Sequence, residues 1–279
     1  MLFNSARQKR ANRNIFQLAH LLRTSSILSL MKLPHGYSLQ HFDEVDCIMA
    51  QAKRLAEAGA EEGTLLVADR QFDGKGRFGK TWHSTPGSVH VALILRPEFS
   101  ATRSLELVHV AMLALGTAVS EQVSPMTELH YRWPNTLLIS RGKAAGMFVE
   151  MQRNADAPDF ASWMNIGFAV NMNSYPSGAA LEAAALSGDG DCTPERDRLV
   201  ESFSRHFLAG INRWAEEGLS PFRRHWVSRA DGMGSPAAIT LATETLKGTP
   251  RDLAEDGSLM LENVTGEYQR VALADYFSL

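Results

Sequence analysis

The chain has 279 residues, 44% hydrophobic and 21% charged, enough to bury the core of one large and one small domain. Its net charge of −3 is unevenly divided: no Asp or Glu precedes Asp43, while the residues from Asp43 onward carry 22 basic against 31 acidic side chains. A body that acidic argues against nucleic-acid binding as the main activity, and no apolar run reaches the ~18 residues that a membrane-spanning helix needs.

Arg7, Lys9, Arg10, Arg13, Arg23 and Lys32 make residues 1–33 a basic lead-in. It has the composition of a transit peptide but reads as a disordered segment, with Met31 as an alternative start. Ile48, Ala52, Leu55 and Ala56 then recur at helical spacing between Asp46 and Gly59. Thr64 to Ala68 is a short apolar strand entering a glycine-rich loop, and His90 to Leu95 is a second strand. Leu105, Val108, Met112, Leu115 and Val119 place one stripe on a helix from about Ser104. Strands are predicted at Leu129 to Trp133, Leu137 to Ser140, Gly146 to Met151 and Trp163 to Met172. Thr193-Pro194 opens a helix carrying Val200, Phe203, Phe207, Ile211 and Trp214, ended by Gly218; Ser220-Pro221 opens another. After Gly234 come four short strand-like runs, at Ala237 to Leu241, Leu246 to Gly248, Ser258 to Glu262 and Tyr268 to Leu273, with Asp256-Gly257 as a turn pair. The fold class expected is α+β, followed by a small SH3-like β-barrel. The divisions are 1–33, 34–232 and 233–279.

The two cysteines, Cys47 and Cys192, stand far apart, which argues against a disulfide scaffold or zinc site and fits a reducing, cytoplasmic setting. The nine histidines form no metal-binding spacing, so no metal ligands are assigned.

The most informative stretch is Gln71-Phe72-Asp73-Gly74-Lys75-Gly76-Arg77-Phe78-Gly79-Lys80-Thr81-Trp82. Gly74, Gly76 and Gly79 match a dinucleotide fingerprint, and Gly74, Gly79, Lys80 and Thr81 match a phosphate loop. Both patterns require a helix to follow, and Pro86-Gly87 breaks any helix within two turns. What is left is flexible main chain that a ligand can approach closely, with Lys75, Arg77 and Lys80 able to surround an anion.

Three segments in order resemble the biotin protein ligase family. The first runs from Ala68-Asp69-Arg70-Gln71 to Trp82, with Ser84, Pro86-Gly87 and Leu95-Arg96-Pro97. The second is Arg132-Trp133-Pro134-Asn135, then Gly142-Lys143-Ala144-Ala145-Gly146 and Glu150. The third is Ile166-Gly167-Phe168-Ala169-Val170-Asn171. The resemblance covers the chain from about Pro34 to its end. It implies an α+β, mixed-sheet biotin/lipoate ligase-like catalytic domain and an SH3-like domain, without the DNA-binding winged helix of larger members. It implies formation of biotinyl-AMP from biotin and ATP, with Mg²⁺, and transfer to a lysine of a carboxylase's biotin carrier domain; a homodimer is compatible with it. By the motifs, Lys143 and Arg77 are catalytic. Gln71, Gly74, Lys75, Gly76, Arg77 and Lys143 contact biotin, and Arg77, Lys80, Asn135 and Asn171 contact ATP. Cys47 would be a further biotin contact by its place at the helix start, while its own chemistry favours a small buried hydrophobe.

Some positions differ from the family pattern. Cys47-Ile48-Met49 replaces a polar Ser-Thr-Asn, Thr136 replaces an acid, Ala169 replaces a glycine, and Lys75 and Lys80 replace arginines. Lysine keeps the charge without the bidentate fork. These differences leave open a ligase for a different, apolar acid, and a non-catalytic relative that binds a nucleotide or a partner.

Overall fold

A computed structural model describes residues 31–176, 182–188 and 192–279 of the chain. The lead-in expected over 1–33 lies almost wholly outside the described residues. Residues Leu33–Leu279 form one compact unit.

The unit contains two sheets. β1 (Ser38–Val45), β2 (Thr64–Gln71), β3 (Val89–Leu95), β4 (Leu129–Arg132), β5 (Thr136–Ile139), β6 (Gly142–Arg153) and β7 (Ala161–Val170) form a sheet in the order β1-β2-β3-β7-β6-β5-β4. Only β1 and β2 pair in parallel; the other pairs are antiparallel. Central β3 reads Val-His-Val-Ala-Leu-Ile-Leu because both its faces are covered, and every residue in it is buried. β8 (Ala237–Thr240), β9 (Thr245–Leu253), β10 (Leu259–Glu262) and β11 (Tyr268–Val271) make a four-stranded antiparallel sheet, as expected for an SH3-like domain.

Six helices accompany the sheets among the described residues. α1 (Ile48–Glu57) turns Ile48, Met49, Ala52 and Ala56 onto the large sheet. α2 (Ala101–Ser104) is one turn, capped by the Ser100 hydroxyl, and α3 (Leu107–Ser120) follows it. The sequence stripe predicts one helix from Ser104; the chain instead helicalises three residues earlier and tightens at Leu105 and Glu106. α3 is buried on nearly all sides because α4 (Arg196–Glu217) covers its outer face with Leu199, Val200, Phe203, Phe207 and Trp214. Gly218, at φ 69°, ends α4 as predicted. α5 (Ser220–Ser228) buries Trp226 between His109 and Tyr131. α6 (Leu273–Phe277) closes the chain. The expectation of strand through Leu273 is corrected here: β11 stops at Val271, and Leu273 and Phe277, four residues apart, are buried on one helix face.

The small sheet is joined to the body at several points: Arg223 of α5 binds Leu253 O and Asp252, and one carbonyl takes two further bonds. Gly257 O, in the Asp256-Gly257 turn, accepts hydrogen bonds from Trp133 Nε1 at 3.0 Å and from the ring Nε2 of His109 at 2.9 Å. Arg96 is structural too. Its guanidinium donates to Ala56 O, Ala60 O and Ser162 O, tying the end of α1 to the sheet. No helix among the described residues is long and apolar enough to cross a membrane.

Candidate active site

A cavity of about 700 Å³ opens where the glycine-rich loop, the first turn of α1, the start of β6, the end of β7 and the C-terminal sheet converge. The loop is a tight hairpin. Lys75 and Thr81 pair across it, Gly76 N–H donates to Lys80 O, and Trp82 N–H donates to Gly74 O. Phe78 and Gly79, at φ 56° and 68°, turn the chain through the left-handed region. No helix follows the loop beyond the single turn Arg77–Gly79, so the reading that set aside the phosphate-loop and dinucleotide patterns holds.

Of the residues singled out in the sequence, Cys47, Gln71, Lys75, Gly76, Arg77, Lys80, Asn135, Lys143 and Asn171 all line this cavity. Gly74 does not. It lies behind the wall, where an added Cβ would stand 2.8 Å from Trp82 O.

Several of these side chains already have protein partners. Gln71 Oε1 accepts from Ile48 N–H at 2.6 Å, capping α1, and Gln71 Nε2 lies 3.0 Å from His90 Nδ1. With its oxygen taken by Ile48, Gln71 donates through Nε2. His90 Nδ1 is then the acceptor, and His90 Nε2–H donates to the Ser84 hydroxyl. Asn135 Nδ2 donates to Met147 O at 2.7 Å, and its Oδ1 accepts from the Tyr276 hydroxyl at 3.1 Å. Lys75 is paired with Asp73 at 2.5 Å. Sequence reasoning missed His90, whose histidine-in-strand context looks like core, and Tyr276, 133 positions from Lys143 with no motif around it.

Lys143 starts β6 and is held by its main chain: its N–H donates to Glu182 O and its carbonyl accepts from Ala184 N–H. Its Nζ sits 5.0 Å from the centre of the Trp82 ring. Burial, then the charges of Arg132 and Lys80, push the ammonium below the usual lysine range. An arriving anion relieves that stress. Arg132 is neutralised in part by Asp231 at 2.7 Å, and Asp231 is the one carboxylate on the cavity wall among the described residues. Asn171 donates its Nδ2 to Lys143 O and Ala184 O, while its buried Oδ1 has no partner among the described residues.

Burial pushes both His90 and His109 down to about 4. Their unfolded value is near 6.5, so the unfolded chain binds protons that the folded one refuses between about pH 6.5 and 4. Stability from this source is complete above pH 6.5 and is lost as pH falls. Each histidine is expected to contribute a slope of about 1.4 kcal/mol per pH unit in that window. Urea titrations at pH 7, 6 and 5 should show it, and His109→Asn should have a flatter profile than wild type. An equally steep profile would refute the assignment.

The model of the biotin/lipoate A/B protein ligase family matches residues 33–228. The bifunctional ligase/repressor BirA of Bacillus subtilis is 29% identical over 236 residues, covering 83% of this chain and 71% of that protein. The biotin–[acetyl-CoA-carboxylase] ligase of Paracoccus denitrificans is 29% identical over 239 residues, covering 83% and 97%. Among solved structures, the biotin protein ligase of Aquifex aeolicus in complex with biotin and ATP superposes with a TM-score of 0.69 at 23% identity, covering 85% of this chain and 97% of that one. A biotin protein ligase-like protein of unknown function from Silicibacter sp. TM1040 gives 0.70 at 23%, covering 88% and 98%. At those identities the superpositions speak for the fold, which agrees with the sheet order and the C-terminal sheet found here. With the family model spanning most of its length, the chain belongs to the biotin/lipoate A/B protein ligase family.

Proposed function

We propose that the protein is an ATP-dependent, AMP-forming ligase. It would join biotin to AMP with release of pyrophosphate, then pass the biotinyl group to a lysine of a carboxylase's biotin carrier domain. The observation that carries this is the convergence of Arg77, Lys80, Arg132 and Lys143 on one cavity that also has an apolar end. A carboxylate is ionised at neutral pH and needs no strong base to attack the α-phosphate. It needs two anions held in contact and the charge on the phosphoryl oxygens offset, for which fixed cations suffice. In this reading Lys143 faces the carboxylate and the bridging oxygen, Arg77 and Lys80 the phosphates. The unpartnered Asn171 Oδ1 suits the amino group of adenine.

Magnesium enters as part of MgATP. Among the described residues the cavity wall has a single carboxylate, already paired with Arg132, so these residues do not fit a protein-held ion and no step runs through one. The proposal keeps the catalytic domain at 34–232 and the C-terminal domain at 233–279, supported by the separate pairing of β1–β7 and β8–β11. It also keeps a cytoplasmic location, no nucleic-acid or membrane partner, and a homodimer as compatible.

One observation favours a second reading, a ligase for an apolar acid. The first turn of α1 presents Cys47, Ile48 and Met49 to the cavity, and Ile48 N–H and the Gln71 amide are engaged with each other and with His90. Met49 Sδ lies across Gly167, 2.2 Å from where a Cβ would stand. A ureido ring has two N–H donors and a carbonyl, and a site without matching side chains discriminates weakly in its favour. ATP–pyrophosphate exchange separates the readings. Biotin-dependent exchange, followed by labelling of a carrier domain, is the expected result. Exchange supported only by apolar acids selects the second reading, and no exchange with any acid removes both.

A further inference from the structure

Arg77 reaches out of the glycine-rich loop to the C-terminal part of the chain. Its Cζ lies 3.3 Å from the centre of the Tyr276 ring, and its Nη2 donates to Thr240 O at 2.5 Å. Thr240 ends β8 and Tyr276 belongs to α6, so both contacts come from beyond residue 233. The Nε of Arg77 is buried and has no hydrogen-bond partner among the described residues.

Tyr276 is itself fixed. Its hydroxyl donates to Asn135 Oδ1, whose amide is anchored on Met147 O. Trp133 and Phe277 meet its ring edge-on, with centroids 5.0 and 5.1 Å away. A planar guanidinium stacks well on an aromatic face and gains from its quadrupole. Without the ring, the loop arginine would have Phe78, 4.5 Å away on the same hairpin, as its remaining aromatic neighbour among the described residues.

We propose that Tyr276 is the positioning residue for Arg77: its ring face, with the Thr240 carbonyl, holds the guanidinium at the cavity wall before nucleotide arrives. This rests on the ligase reading. A long side chain held in place loses less rotamer freedom when it meets a phosphate, so binding is tighter. Asn135 then acts by tethering Tyr276 rather than by touching the nucleotide, which accounts for an amide whose donor and acceptor are both engaged.

A double-mutant cycle read by calorimetric titration with MgATP tests this. Tyr276→Leu is expected to weaken binding about 10-fold, and Tyr276→Phe, which keeps the ring, to stay within about threefold. In an Arg77→Ala background, Tyr276→Leu should have no further effect, because its target is gone. Should the leucine variant fail to fold by circular dichroism, Tyr276→Met takes its place in the cycle. Additive losses, or a phenylalanine variant as weak as the leucine one, would overturn the proposal alone. A wild type that binds no MgATP would overturn the ligase reading and the proposal together.

Discussion

Replacing Lys143 with alanine is expected to reduce acid-dependent ATP–pyrophosphate exchange by about 100- to 1,000-fold, while the melting temperature stays within a few degrees of wild type. The rate follows from where the ammonium sits. It is partly buried, beside Trp82, and two further cations depress its pKa. A cation so placed is poorly solvated before the reactants arrive and gains most when negative charge accumulates nearby, as it does when a carboxylate closes on a phosphoryl group. The small effect on stability follows from the contacts. The Lys143 main chain, which alanine keeps, pairs with Glu182 and Ala184. Removing a strained cation also relieves repulsion from Arg132 and Lys80. Lys143→Met keeps the length and removes the charge, so it should lose as much activity as alanine. A methionine variant within about fivefold of wild type would mean that Lys143 shapes the pocket instead of neutralising the reaction.

The second large effect is on folding. Gly257→Ala is expected to destabilise the protein by about 2–4 kcal/mol, from left-handed strain and overpacking acting together. Gly257 has φ 79°, and a Cβ there would lie 2.4 Å from the His109 ring. The His109 ring has no room to yield. His109 is fully buried and edge-on to Trp226, and Trp133 donates to the same carbonyl. The change would push the turn off two of the donors that fasten the small sheet to the body, leaving both without an acceptor. Guanidinium unfolding of the variant measures the loss. Because Thr240 and Tyr276 are carried by that part of the chain, MgATP affinity should fall along with stability. A loss below 1 kcal/mol would show that the turn is free to shift and that the joint lies elsewhere.

Much of the site could be read before the fold was known, because its chemistry is concentrated in short segments. Three cations within six residues, from Lys75 to Lys80, set among glycines, pointed to an anion site, and the two further motif segments strengthened that reading over a solvated basic hairpin. Pro86-Gly87 ruled out the helix that two rival readings needed. Helical stripes and buried strands were equally local, since burial on one or both faces leaves a period in the chain. Strand ends were less legible: β6 begins at Gly142, four residues before the predicted start, because it pairs with β5 from its first residue, Gly142 opposite Ile139 and Lys143 opposite Leu138.

Other features have no local signature. That Gln71 caps α1 and leans on His90 depends on residues 19 and 23 positions apart meeting across three elements. That Asn135 serves Tyr276 is a contact across 141 positions. The amino-acid order determined which side chains were available, which were charged and which faces would be buried, since hydrophobic period and backbone propensity act over a few residues. Only the tertiary structure decided which polar groups are consumed by one another and which stay free for a ligand. A hydrogen bond is a matter of ångströms and angles between distant segments, and those are fixed only once the sheets and helices have packed.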